Sequence, residues 1–145
     1  MTQVNTRLLA PGTIESQELK YVVMGARYLG KWVFVRHRKR TTWEMVSGHI
    51  EPGETADQAA TRELSEEAGV VKSSLKPLCD YEVEVKGKKE CGRFYWVEVQ
   101  ELDPKLEHET EELVLADTLP GELTYPEVHA HLFQRALEHF GLSQK

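Results

Sequence analysis

The sequence holds only two cysteines, Cys79 and Cys91, among 145 residues. Their spacing suits no metal site and two thiols make at most one bridge, so a disulfide-built mini-protein is excluded and a reduced, cytoplasmic setting is expected. No apolar run approaches the roughly 18 residues that suggest a membrane-spanning helix, so no membrane partner is expected. The first 25 residues are polar, with neither the apolar stretch of a signal peptide nor the pattern of a transit peptide. Repeats, low-complexity tracts and linker-like stretches are also missing, which points to a single domain over residues 1–145. Hydrophobic residues at 40% and charged residues at 29% exclude a disordered acidic tail and a collagen-like chain.

Charge of one sign is missing locally. Residues 20–40 carry seven basic residues and no acid, whereas residues 98–127 carry ten acids and one base, Lys105. The net charge is −6, while a protein that binds a nucleic-acid duplex normally presents a net positive domain. A basic run facing an acidic cluster suits a small anionic ligand held with a divalent cation. Solvated surface charge is the plainer reading of most of these residues taken singly.

Strand-forming composition marks residues 18–28 and 31–36, joined at Leu29-Gly30 as a hairpin, and residues 43–46 add a short third strand. Residues 75–85 and 91–99 form two further β-rich segments around Lys86-Gly87-Lys88-Lys89, and residues 112–117 another. A first helix is predicted over about residues 56–68. Thr55 with Gln58 gives a capping-box signature there, and Gly69 stands at the C-terminal stop. A second is predicted over about residues 126–140, opened by Pro126 and ended by Gly141. The order implies an α/β fold, a mixed sheet with helices packed on it.

The first helix carries the chemistry. Glu63, Glu66 and Glu67 fall within one arc of about 100°. Three carboxylates so close repel one another, and a helix gains nothing from that arrangement. Ala56, Ala59 and Ala60 are expected on the same open side, with Leu64 and Ala68 turned to the core. A clustered acidic face beside small residues suggests a hard-cation site for Mg²⁺ or Mn²⁺; a solvated acidic helix face is the bland alternative.

The surrounding residues decide between them. Gly48-His49-Ile50-Glu51-Pro52-Gly53-Glu54, seven residues, then Arg62-Glu63-Leu64-Ser65-Glu66-Glu67-Ala68-Gly69-Val70 resembles the Nudix box at all nine specified positions. A chance match is on the order of one in a million by composition. The resemblance implies a Nudix-type α/β/α sandwich around a central mixed sheet, and Mg²⁺-dependent hydrolysis of a nucleoside diphosphate linked to another moiety, with Mn²⁺ as a substitute. By position, Glu63 and Glu67 match metal ligands. Glu66 matches a third ligand or the group that orients or deprotonates water, and the Gly48 carbonyl matches a further metal contact. Glu54 matches an acid tying loop to helix, and Arg62 a residue that holds the carboxylates in place. Leu64, Gly69 and Val70 match structural positions.

Other residues are weaker candidates. One of Glu109, Glu111 and Glu112 is expected to add a catalytic or metal-binding acid. Arg36 ends the second strand where relatives often place a phosphate contact, and Arg38 and Arg40 share its parity if the strand continues. Trp43 is a candidate stacking surface for a base, as are Tyr95 and Trp96, although core packing is the plainer role of all three. His49 reads as a loop filler, His129 and His131 as solvent-facing or capping residues, and the cysteines as free thiols.

Signatures of the nicotinamide-dinucleotide and coenzyme A branches are absent. The proline of many ADP-ribose hydrolases is not at Val85 or Lys86, and Lys86-Gly87-Lys88 stands where diadenosine-polyphosphate hydrolases carry a tyrosine. By elimination the chain resembles the branch that cuts nucleoside triphosphates, oxidised ones such as 8-oxo-dGTP included, to monophosphate and pyrophosphate. ADP-ribose, nucleotide sugars and dinucleoside polyphosphates are alternative substrates. A non-catalytic nucleotide-binding module is a further alternative, but every box acid is present. A small-molecule nucleotide is the expected partner, and a monomer or homodimer the expected assembly.

Overall fold

The computed structural model describes residues 4–103 and 110–144. In chain order they form β1 (Val4–Leu9), a 3-10 turn (Ser16–Glu18), β2 (Leu19–Tyr28), β3 (Lys31–His37), β4 (Val46–His49), α1 (Ala56–Ala68), β5 (Val70–Val85), β6 (Lys88–Leu102), β7 (Thr110–Ala116) and α2 (Pro126–Gln144). The sheet runs β1-β5-β6-β2-β3-β7, with β4 beside β2. Among the strand ladders of the described residues, β2–β6 is the parallel one, so the sheet is mixed. Among the described residues no helix is long and apolar enough to cross a membrane.

Side-chain alternation along the central strands builds two cores. Val22, Met24 and Ala26 of β2, Val33 and Val35 of β3, and Tyr95 and Val97 of β6 pack with Ala59, Ala60 and Leu64 of α1. Their neighbours Val23, Phe34, Phe94 and Trp96 face the opposite way and pack with Leu132, Phe133 and Ala136 of α2. Strand side chains alternate faces with period 2, so near-continuous apolar runs mean burial on both sides. The result is an α/β/α sandwich.

Several boundaries differ from the sequence reading. β1 was not anticipated; it pairs in register with β5 from Val4↔Val85 to Leu9↔Asp80. The loop after it is tied down by buried Asp80, which accepts from the Gly12 and Ile14 amides at 3.0 and 2.9 Å and from Arg93 Nε at 2.7 Å. The strand expected at residues 43–46 begins only at Val46. Trp43 and Glu44 instead make isolated bridges, to Leu123 and to Val35. β5 and β6 are longer than expected, and their turn is confined to Lys86 and Gly87, both at positive φ. Gly141 does not end α2, because it lacks the left-handed conformation that closes a helix and the helix runs on to Gln144.

One feature of the sheet prepares the site. β2 pairs with β4 along Tyr21–Met24 and with β3 only at Arg27 and Tyr28. The strands β3 and β4 therefore share one edge of β2 and diverge. The Val35–Glu44 bridge, with N···O distances of 2.8 and 3.0 Å, closes this fork.

Candidate active site

Local sequence fixes α1. Thr55 Oγ1 accepts from the Gln58 amide at 3.1 Å, and Gln58 Oε1 accepts from the Thr55 amide at 2.9 Å, which satisfies two donors that a helix start leaves free. Gly69 closes the helix at φ 69°, its N–H donating to the Leu64 and Ser65 carbonyls. Ala59 and Ala60 are fully buried in the core beside Leu64, which corrects the expectation of an open alanine side. Small side chains let α1 sit close on the sheet, and that approach carries two of the three acids inward. Glu63 and Glu67 are only 9% and 8% exposed, whereas the Glu66 side chain is 56% exposed.

The inward acids meet β4. A Cβ on Gly48 would overlap the Glu63 carboxylate, closer than real Cβ contacts come, so this position admits the acid only because it is glycine. Next to it, the Ser47 amide donates to Glu67 Oε1 at 3.1 Å. Arg62 binds the loop to the helix. Its Nε and Nη2 donate to the two Glu54 oxygens at 2.6 and 3.0 Å, and Nη2 also reaches the His49 carbonyl at 2.9 Å. Its Nη1 pairs with Glu63 and, at 3.3 Å, with Glu66. Hydrogen bonds from Arg62, then from the Glu51 amide, hold the Glu54 carboxyl down at about 2. The same bond to Glu54 raises the Arg62 guanidinium, which stays charged.

A second cluster lies at the fork and was missed in the sequence. His37 Nε2 stands 3.2 Å from Glu44 Oε1 and 3.2 Å from Glu67 Oε2. Glu44 is 3% exposed, and its Oε2 accepts from Arg40 at 3.1 Å. The available signal was Glu44 itself, the only acid between Glu18 and Glu51, directly after a basic run.

These groups line a cavity of about 1450 Å³ whose basic residues include Arg38, Lys39, Arg40 and Lys88. Of the residues expected to bind substrate, Arg38 lines it, while Arg36 and Trp43 are not among its lining residues. Arg36 lies opposite Glu112 in the β3–β7 register and pairs with it at 3.0 Å, and it also donates to the Arg40 carbonyl at 3.0 Å. Trp43 packs against the α2-side core and bonds through its backbone to Glu122 and Thr124. β3 ends at His37 and turns, so Arg38 and Arg40 do not continue its parity.

The remaining candidates also have places. Glu112 is engaged by Arg36, whereas Glu109 and the Glu111 side chain lie outside the described residues. Tyr95 is buried, its hydroxyl donating to Asp57 at 2.6 Å, and Trp96 belongs to the α2-side core. His49 is exposed and lies 4.7 Å from the Tyr21 ring. His131 is exposed and bonds the Glu127 carbonyl at 2.7 Å. His129 corrects the solvent-facing expectation: it is buried, its Nδ1 accepts from the Met45 amide at 3.3 Å, and burial pushes its imidazole down to about 4. Cys79 and Cys91 are unpaired thiols.

The donor set fits a hard divalent cation. Two buried carboxylates, the exposed Glu66 and the glycine strand offer oxygens that such ions prefer. Acids held side by side on a rigid helix, next to a basic rim, form a site suited to cutting phosphate anhydrides.

Comparison with known proteins gives this class its name. The chain belongs to the NUDIX domain family, whose profile matches residues 20–135, and it is a Nudix hydrolase. It is 36% identical over 110 residues to YtkD of Bacillus subtilis (strain 168), provisionally named an 8-oxo-dGTP diphosphatase; the match covers 75% of this chain and 69% of that protein. A shorter stretch of 49 residues, 34% of this chain and 28% of the relative, is 41% identical to an RNA pyrophosphohydrolase of Serratia proteamaculans (strain 568). The crystal structure of the Bacillus subtilis pyrophosphohydrolase BsRppH superposes with a TM-score of 0.79 at 28% identity, covering 94% of this chain and 92% of that one.

Proposed function

We propose that this protein is a Mg²⁺-dependent pyrophosphohydrolase that cuts a nucleoside triphosphate, oxidised ones included, to monophosphate and pyrophosphate. The observation that carries the reading is the burial of Glu63 and Glu67 side by side against Ser47 and Gly48, in a cavity that also presents Arg38, Lys39 and Arg40. Arg62 pairs with Glu63, and a bound cation would further offset the repulsion between the two neighbouring carboxylates. Glu63, Glu67 and the Gly48 carbonyl hold the metal in this reading, with Glu66 as a further ligand or as the base. A bound divalent ion supplies charge neutralisation at the phosphates and lowers the pKa of a coordinated water.

The chain's own residues do the rest. Arg62 fixes Glu54, Glu63 and Glu66 relative to one another, so little rearrangement is needed when substrate arrives. Glu66 is exposed enough to accept a proton from an attacking water. Arg38 and its basic neighbours attract the polyphosphate. A cytoplasmic setting belongs to this proposal, in keeping with two unpaired thiols.

A second reading, a triphosphate at the 5′ end of an oligoribonucleotide, is favoured by the extent of the cavity. Its lining runs from Tyr125 and His129 at the start of α2 to Val83 and Lys88 at the β5–β6 turn. Both readings are tested by following phosphate and pyrophosphate release with and without Mg²⁺. The panel holds normal and oxidised nucleoside triphosphates, a 5′-triphosphorylated oligoribonucleotide, ADP-ribose, nucleotide sugars and dinucleoside polyphosphates. Pyrophosphate from free triphosphates supports the first reading, and release confined to the oligonucleotide supports the second. Turnover of ADP-ribose or a dinucleotide alone overturns both substrate assignments, and silence despite Mg²⁺-dependent nucleotide binding overturns the enzymatic reading.

A further inference from the structure

The two oxygens of Glu67 serve different neighbours. Oε1 accepts from the Ser47 amide, while Oε2 faces His37 Nε2 at 3.2 Å. The same nitrogen lies 3.2 Å from Glu44 Oε1. An imidazole Nε2 carries at most one proton and donates at most one good hydrogen bond. Here it faces two carboxylate oxygens at one distance, longer than the roughly 2.7–2.9 Å of a charge-assisted N–H···O bond. Ligand atoms held about 2.0–2.2 Å from one ion sit roughly 3 Å apart, and the His37–Glu44 and His37–Glu67 pairs both have about this spacing.

The three side chains arrive from separate elements, at the end of β3, in the Val35–Glu44 bridge and in the last turn of α1, and their ligand atoms all lie within 4.8 Å of one another. Glu44 is almost wholly buried, and its other oxygen is bound to Arg40. The carboxylate is thereby oriented with Oε1 toward His37 and Glu67.

We propose that His37, Glu44 and Glu67 form a second cation site, distinct from the one built by Glu63 and the Gly48 strand, which binds a divalent transition-metal ion through the His37 nitrogen. A nitrogen donor with two carboxylates favours such ions over Mg²⁺, which keeps oxygen ligands. The inference rests on the metal-dependent reading above only in sharing Glu67. It does not depend on which substrate is cut.

The test loads the nucleotide-free protein with Mn²⁺ and records electron spin-echo modulation from nitrogen bound to the ion. Nitrogen modulation in the parent, altered by ¹⁵N-histidine labelling and lost in His37→Gln, supports the site. Modulation lost in Glu44→Gln supports it independently. A parent with bound Mn²⁺ but no nitrogen modulation overturns it without any variant, and so does modulation that persists in His37→Gln, since His49 or His129 would then be its source. Turnover plays no part in the readout, so a failure to hydrolyse any nucleotide counts against the proposed function alone.

Discussion

The Glu63 carboxylate lies against the Cα of Gly48, in space that the Cβ of any other residue would occupy. The contact joins α1 to β4 at the point where the metal-binding acids are concentrated. Because the clash is with a side chain and not with backbone, Gly48→Ala is expected to cost about 1–3 kcal/mol of stability. It should also displace the carboxylate, weakening Mg²⁺ binding about tenfold or more, where tenfold is roughly 1.4 kcal/mol. Calorimetric Mg²⁺ titration checks this, and an unchanged affinity would show that Glu63 does not need its present position.

Glu63→Gln and Glu67→Gln should separate stability from activity. Each keeps the side-chain shape and relieves repulsion between two neighbouring buried charges, while Glu63→Gln also weakens the pair with Arg62, so the two effects oppose and the urea midpoint should change little. Turnover should fall on the order of 10²-fold or more, the scale seen when a positioned catalytic group is removed. A variant with full Mg²⁺-dependent turnover would sink the site assignment.

His129 gives a pH dependence whose sign is fixed by burial. Its imidazole is held at about 4, below the unfolded value of 6.5. Between those values the unfolded chain takes up a proton that the folded chain refuses. The His129 contribution to stability should therefore fall as pH drops from 6.5 toward 4, by about 3 kcal/mol in all, and change no further below that. His129→Asn keeps an acceptor near the Met45 amide but cannot titrate. Urea unfolding between pH 7 and 4 should show a shallower pH dependence in the variant, and identical slopes would contradict the assignment.

Asp80 is a buried acid that is not among the residues lining the cavity. It binds Arg93 and two amides of the loop after β1, so Asp80→Ala leaves an arginine and two N–H groups without their partner. The expected cost is about 3–5 kcal/mol, with Mg²⁺ affinity unchanged. A matching loss of metal binding would mean that the β1 loop supports the active site.

How much was readable follows from how local each feature is. The limits of α1, Thr55–Gln58 and Gly69 all matched, because capping bonds span only three to five residues. The two tight turns were legible for the same reason. The end of α2 was misread because Gly141 has a helical alternative that sequence cannot weigh. Strand β1 escaped notice because Val4, Thr6 and Leu8 alternate too weakly among polar residues, and its partner β5 lies far along the chain. The sequence marks Arg36 as one of three candidate phosphate contacts; its pairing with Glu112 comes from the β3–β7 register, which the sequence does not show.

The sequence by itself determined the acidic helix, its caps, the glycine strand and their common motif, since these follow from spacing within about 25 residues. Tertiary structure alone decided which acids are buried and which face outward. It also turned Arg36 to Glu112, buried His129, and brought His37, Glu44 and Glu67 together at the fork between β3 and β4. Those outcomes depend on strand pairing and on how closely the alanine face of α1 approaches the sheet. Both are settled by packing the whole core, which no local pattern records.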